Sequence, residues 1–185
     1  MKDLEDEELV VLCQNGNREA FAELVMRYKG MVYTMIHRVL NRPWETEDLA
    51  QDVFLKAYKA LPRFRREAKF STWLYRICYN LCVTTATRKD PREIYEATIS
   101  DPRTVERAYE RKEIGERVRE LLSELPPLYS TAITLRHIHG LSYAEIADVL
   151  KQPLGTTKST ISRGRERLRK LVLERIGWEE LEDIL

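Results

Sequence analysis

The chain has 185 residues, a third of them charged, with 31 Lys and Arg against 30 Asp and Glu for a formal net charge of +1. That length accommodates one large domain or two small ones, and 43% hydrophobic residues fits a helix-rich globular protein. No stretch approaches the roughly 18 apolar residues of a membrane helix. The acidic start Met1–Glu8 lacks the basic-then-apolar order of a secretory signal, and three cysteines (Cys13, Cys78, Cys82) are too few for a disulfide framework, which points to a reducing cytosol.

In chain order, Phe21, Leu24, Val25, Tyr28, Met31, Val32, Met35, Ile36 and Val39 recur at helical spacing and predict one long amphipathic helix from Ala20, ending before Pro43. A second helix is expected from about Glu45 to Ala60, burying Leu49, Val53, Phe54, Ala57 and Tyr58, and Pro62 stops it. The basic loop Arg63–Lys69 leads into a third helix, about Ser71 to Thr87, whose buried stripe is Leu74, Ile77, Cys78 and Leu81. Three helices on short loops make one all-α domain, residues 1–90. Over 91–113, Pro91 and Pro102 sit among charges and apolar periodicity fades, as in a flexible linker that turns helical from about Val105.

A second helical domain, 114–176, opens with Val118, Leu121, Leu122 and Leu125 and is interrupted by Pro126-Pro127. A helix from Tyr129 to Ile138 should bury Ala132, Ile133, Leu135 and Ile138 and end at His139-Gly140. Ser142-Tyr143-Ala144-Glu145 then reads as a capping box for a short helix, Tyr143 to Leu150, with Ile146, Ala147 and Leu150 inward. The turn Lys151–Gly155 leads to Thr156 or Thr157 as the next N-cap, and the helix beyond carries Ile161, Leu168 and Leu171 on one face and basic residues on the other. Short helix, tight turn and longer basic helix form the pattern of a helix-turn-helix. Residues 177–185 are an acidic tail.

The balanced charge is unevenly spread. Residues 1–12 and 174–185 each carry five acids and one base, which leaves 29 bases and 20 acids, or +9, between them. Two blocks concentrate the excess: 62–89 holds seven bases against Glu67, and 156–173 holds six against Glu166. Charge alone fits two solvated helix faces as well as two contacts with one polyanion.

A recognition helix reads base edges with residues near its N-terminus, here Thr157, Lys158, Ser159, Ser162 and Arg163, while Arg165, Arg167, Arg169 and Lys170 further along suit phosphates. In the first domain Phe64, Phe70, Trp73, Tyr75 and Tyr79 alternate with Arg63, Arg65, Arg66, Lys69 and Arg76. Aromatic faces stack unpaired bases while basic side chains follow the backbone, which is the chemistry of single-strand capture; Phe70 and Trp73 are equally suited to packing inward.

Three runs carry a family resemblance. Asn17–Val25, Glu47–Phe54 and Lys69-Phe70-Ser71-Thr72-Trp73-Leu74-Tyr75-Arg76-Ile77 resemble region 2 of an extracytoplasmic-function sigma factor. Leu125-Pro126, Leu141–Ala147 and Leu154–Ser159 resemble its region 4, so the likeness spans nearly the whole chain in order. The resemblance implies a promoter-specificity subunit of bacterial RNA polymerase, located in the cytoplasm. Asp48, Gln51, Asp52 and Phe54 would dock on the clamp helices of the β′ subunit, with the β subunit as a further contact of the core enzyme. Phe64, Arg65, Arg66, Lys69, Phe70, Ser71, Thr72, Trp73, Arg76 and Asn80 would capture and melt the −10 element. The linker would thread towards the active-site channel, and Thr157, Lys158, Ser159, Ser162, Arg163 and Arg165 would read the −35 element. An anti-sigma factor is a further implied partner, with no membrane insertion. After Asn80-Leu81 the family usually continues with an Asp and an Arg, whereas this chain reads Cys82-Val83-Thr84-Thr85-Ala86-Thr87-Arg88, so the −10 preference of better-known relatives is not carried over.

Other readings account for less. Cys78 and Cys82 have a spacing open to two metal ligands, with His37 a distant third, but fit buried small hydrophobes better; His137-x-His139 suits a helix end. No phosphate loop, nucleophile elbow or paired-carboxylate site is present, so neither catalysis nor a cofactor or metal is expected. A stand-alone helix-turn-helix regulator explains residues 141–173 only, and an interaction adaptor explains the acidic helix but neither basic block.

Overall fold

The computed structural model describes residues 1, 3–88 and 108–176. Within them the helices are α1 (Asp6–Gln14), α2 (Arg18–Leu40), α3 (Pro43–Ala60), α4 (Phe70–Ala86), α5 (Ala108–Glu124), α6 (Pro127–Ile133), α7 (Tyr143–Leu150) and α8 (Leu154–Arg175), and no strand occurs among the described residues. The expected linker mostly lies outside the described residues, as does the acidic tail.

The helix boundaries follow from local chemistry. Asn17 caps α2, its side-chain oxygen accepting from the Ala20 amide at 3.1 Å. Asn41 ends α2 in the left-handed region (φ 49°) with its N–H on the His37 carbonyl at 3.0 Å, a conformation asparagine tolerates better than most residues. Helix α3 begins at Pro43, two residues before the position expected, because a proline in the first turn gives up no helical hydrogen bond. A single 3-10 turn, Leu61–Arg63, follows α3 and contains Pro62. Helix α1 falls in a stretch for which the apolar spacing predicts no element, three acids followed by the apolar run Leu9–Cys13. Its Leu9 and Val10 are buried, and Leu9 makes no contact with solvent.

The first four helices enclose a core of Leu9, Leu24, Met35, Ile36, Val53, Leu61, Leu74 and Cys78, among others. Each large aliphatic side chain fully buried there contributes roughly 1.5–3 kcal/mol. Tyr58, expected inside, is 43% exposed, its ring packing edge-on against Phe21 at 4.9 Å.

In the second half α6 runs on into a π-helical turn, Thr134–Ile138, which brings His139 to the end of the element; Ile138 is exposed, not buried as expected. The capping box is present: the Glu145 amide donates to the Ser142 hydroxyl oxygen at 3.2 Å and the Ser142 amide to Glu145 Oε2 at 3.0 Å. Lys151 turns the chain out of α7 at φ 53°, and α8 starts at Leu154 behind Pro153. Gly164 lets α8 approach α6: a Cβ there would lie 3.1 Å from Ile133 Cδ1 and 3.3 Å from Tyr129 Cβ.

The two halves pack together. Leu135, Ile146, Val149 and Leu150 join the core of the first four helices, with α7 lying along α4. Tyr75 of α4 meets His139 with ring centroids 5.2 Å apart. At the rim the Lys69 ammonium donates to Glu145 Oε1 at 2.9 Å, and Arg76 Nε donates to the Asp148 carbonyl at 3.1 Å.

Candidate nucleic-acid interface

The exposed face of α8 is built by exclusion. Thr157, Thr160, Ile161 and Gly164 are buried against α6 and α7, so the helical repeat turns Lys158, Ser159, Ser162, Arg163 and Arg165 outward, all exposed. Thr157 is a correction to the expected base-reading set. Because α8 starts at Leu154, residue 157 lies one turn inside the helix and points into the core; its amide and hydroxyl both donate to the Pro153 carbonyl, at 2.9 and 3.2 Å. Neither Thr156 nor Thr157 caps the helix; Pro153 holds that place. The Ser159 hydroxyl shares its one proton between the carbonyls of Thr156 (2.9 Å) and Gly155 (3.1 Å), which leaves its oxygen to serve as an acceptor.

Aromatic rings brace the basic side chains. Tyr143, half-buried at the first turn of α7, has the Arg136 guanidinium 4.6 Å and the Lys158 ammonium 5.9 Å from its ring centre, and Arg136 also donates to the Leu141 carbonyl at 2.8 Å. Arg167 lies 4.8 Å over Tyr129. Neither tyrosine nor Arg136 was singled out in the sequence, where an isolated aromatic in a helix looks the same whether it packs inward or props a cation. His139, and His137 beside it, are each held below the ordinary imidazole range, first by burial and then by nearby arginines, Arg38 for His139 and Arg165 and Arg136 for His137. Among the described residues no group of three or more His, Cys, Asp or Glu side chains is placed to hold a metal ion. Cys78 and Cys82 are buried free thiols; a hydrogen bond with Cys82 and burial push the Cys78 thiol well up.

The second cluster lies where α3 gives way to α4. Phe64, half-buried, packs on Trp73 with centroids 4.7 Å apart, and Phe70 lies 5.7 Å from Trp73 and 5.4 Å from Tyr28. Phe70 and Thr72 point into the core (both 3% exposed), which corrects their assignment to a DNA-facing surface; Phe70 packs against both Phe64 and Trp73. Arg65, Arg66, Lys69 and Asn80 are exposed, and Ser71, Trp73 and Arg76 half-exposed. Arg66 takes a left-handed backbone conformation (φ 59°), which folds the loop back over a cavity of about 300 Å³ lined by Glu7 and Val10 of α1 and by Phe64, Arg66, Lys69 and Phe70. Helix α1 also reaches the loop through Gln14, whose side-chain amide donates to the carbonyls of Leu61 (3.1 Å) and Phe64 (2.9 Å). It is tied to α2 by Asp6, which pairs with Arg27 at 3.0 Å and accepts from the Tyr28 hydroxyl; burial, then the hydrogen bond with Asp6, pushes that phenol up.

On α3, Asp48, Gln51 and Asp52 share an exposed face. Phe54 does not join them: it is 9% exposed and packs in the core, so its place on a docking surface is corrected to one beneath it. The apolar side chains that do reach solvent nearby are Leu55 and Tyr58, the latter bordering a groove completed by Phe21, Val25 and Met26 of α2.

Comparison with known proteins finds two family matches in order along the chain. Residues 24–92 match the family described as Sigma-70 region 2, and residues 115–168 match Sigma-70, region 4. The chain is 37% identical over 179 residues to the RNA polymerase sigma-H factor of Pseudomonas aeruginosa, covering 90% of this chain and 93% of that one. It is 36% identical over 170 residues to the ECF RNA polymerase sigma factor SigW of Bacillus subtilis, covering 85% and 91%. A structure of CnrH in complex with the cytosolic domain of CnrY superposes with a TM-score of 0.67 at 29% identity, over 92% of this chain and 98% of that one. With both sigma regions in order, and relatives of this identity along nearly its full length, the chain belongs to the extracytoplasmic-function (ECF) sigma factors.

Proposed function

We propose that the chain is a promoter-specificity subunit in which residues 1–90 bind core RNA polymerase and open the −10 element, 91–113 connect, 114–176 read the −35 element, and 177–185 form an acidic tail. The observation that carries this reading is the outward, basic face of α8 in the same molecule as an aromatic shelf ringed by cations. Lys158, Ser159, Ser162 and Arg163 offer donors and acceptors to base edges in the major groove, with Arg165 at the phosphates. Phe64 and Trp73 offer faces for unstacked bases, with Arg65, Arg66, Lys69, Ser71, Arg76 and Asn80 around them for the displaced strand. The exposed acids Asp48 and Asp52, with Gln51, form the polymerase-docking face. The chain works in the cytoplasm as a binding protein, with no reaction and no cofactor of its own. An anti-sigma factor is its regulatory partner, as membership of the ECF family implies.

The packing of the two halves bears on this role. Lys69 and Arg76, two of the cations that would meet the −10 strand, are engaged by Glu145 and by the Asp148 carbonyl. A phosphate at either side chain would lie beside that partner, so binding at the −10 element and the contact between the two halves draw on the same two cations. The deciding experiment is run-off transcription from a mapped cognate promoter. The product should require both this chain and core polymerase, and tight sequence-specific duplex binding by the chain alone would favour a stand-alone regulator instead.

A further inference from the structure

We propose that Gln14 is a positioning residue for base selection at the −10 element, acting through the loop that follows α3; the proposal rests on the reading of that loop given above. The segment 64–69 belongs to no regular element. A binding surface on such a segment is only as well defined as the contacts that fix its backbone. Gln14 supplies two of them from the last turn of α1, donating to Leu61 O at 3.1 Å and to Phe64 O at 2.9 Å. These carbonyls bracket the 3-10 turn, whose own closing bond runs from the Phe64 amide to Leu61 O at 3.0 Å. One side chain therefore fixes both ends of the turn that delivers Phe64 onto Trp73.

The two acceptors also fix which way round the carboxamide lies. Only its NH2 end has two protons to give, so both are committed to carbonyls and the side-chain oxygen points away. Arg66, two residues beyond Phe64, holds a left-handed conformation unfavourable for a side chain of its size, which persists only where surrounding contacts hold it. Gln14 shares one face of α1 with Glu7 and Val10, which line the cavity beside the same loop, so α1 meets the loop along that face. In sequence Gln14 is one polar residue in a short acidic helix, 47 and 50 residues from its partners.

The substitution Gln14→Glu keeps shape and size but turns oxygens on both carbonyls; Gln14→Lys restores donors, its ammonium carrying three protons. Holoenzyme assembled from core polymerase and the full chain carrying Gln14→Glu, Gln14→Lys or Trp73→Ala is assayed for open-complex formation on promoters with each base in turn at the −10 and −35 elements. Losing two hydrogen bonds, each worth about fivefold in an equilibrium constant, should lower −10 discrimination by up to about 25-fold in Gln14→Glu, leave −35 discrimination unchanged, and be largely reversed in Gln14→Lys. Parental −10 discrimination in Gln14→Glu, while Trp73→Ala loses it, overturns the proposal alone. Parental discrimination in both variants overturns the reading of the loop and the proposal with it. An equal loss at both elements that Gln14→Lys does not reverse assigns Gln14 to general stability and also overturns it.

Discussion

Replacing Thr157 by Val separates a residue that supports the recognition helix from those that read DNA. Thr157 is 0% exposed, and its hydroxyl donates to the Pro153 carbonyl at 3.2 Å. That carbonyl keeps a second donor, the Thr157 amide at 2.9 Å, so removing the hydroxyl leaves no orphaned acceptor. The cost is then that of one ordinary hydrogen bond, about 0.5–1.5 kcal/mol, partly offset because a methyl group suits a dry site better than a hydroxyl. Valine has the same branched shape, so helix propensity and packing volume barely change. Because the two halves share one core, up to about 1 kcal/mol corresponds to a fall in Tm of about 2–4 °C or less. Thermal melting by circular dichroism measures that change, and a binding-site selection with the reconstituted holoenzyme measures base preference at the −35 element. Preference should match the parent. A shift in preference as large as that of an exposed-face variant, at unchanged Tm, would refute the inward placement of residue 157.

Arg163→Ala, in contrast, removes an exposed side chain from the same helix and should relax selectivity at one −35 position by roughly 1–3 kcal/mol with Tm unaltered; the same selection experiment checks it, and unchanged preference sinks the assignment. Trp73→Ala should weaken promoter opening more than polymerase binding, because it removes the surface on which Phe64 rests 4.7 Å away; permanganate reactivity of the melted bubble is the readout, and an unaffected footprint excludes a stacking role. The Glu145 carboxyl is held down to about 2 from an ordinary 4.5, chiefly by the Lys69 ammonium and then by the Ser142 amide. A depressed carboxyl pKa favours the folded state above pH 4.5 and loses that contribution as the pH falls from 4.5 towards 2. Denaturant unfolding across that range should therefore show a shallower fall for Glu145→Gln than for the parent, and parallel curves would count against the contact.

The helices were legible wherever a segment buries one face and exposes the other. In α2 the apolar spacing and the stop before Pro43 agree, and the structure follows them; the Asn17 cap at its start came only from the structure. The Ser142–Glu145 box was equally plain because both of its hydrogen bonds lie within four residues. Helix α1 was missed: its apolar residues form one short unbroken run, Leu9–Cys13, behind three acids, which shows no helical spacing, and Leu9 and Val10 are buried where α2 and the Leu61 turn lie against them. The apolar faces of α4 were read as one stripe, yet Thr72, Tyr75, Cys82 and Thr85 are buried too, since α4 is covered by its own domain on one side and by α7 on another.

By itself, the sequence determined the all-α class, the helix-turn-helix and the residue types gathered at each DNA-facing region, because these depend on periodicity, capping and composition, which act over a few residues. The tertiary structure alone decided which of those residues are available. Thr157, Phe70, Thr72 and Phe54 match the sought pattern but face the core, since a helix start moved by three or four residues, as in α8, or a neighbour packed across a face, turns a side chain from solvent to interior. It also decided the supports that no pattern reveals: Gln14 on the loop carbonyls, Tyr143 under Arg136 and Lys158, and Glu145 on Lys69. All but one of these are made by residues far apart in the chain. The exception, Arg136 on Tyr143, forms across the turn between α6 and α7, and each contact exists only once folding has brought its partners within hydrogen-bonding or van der Waals reach.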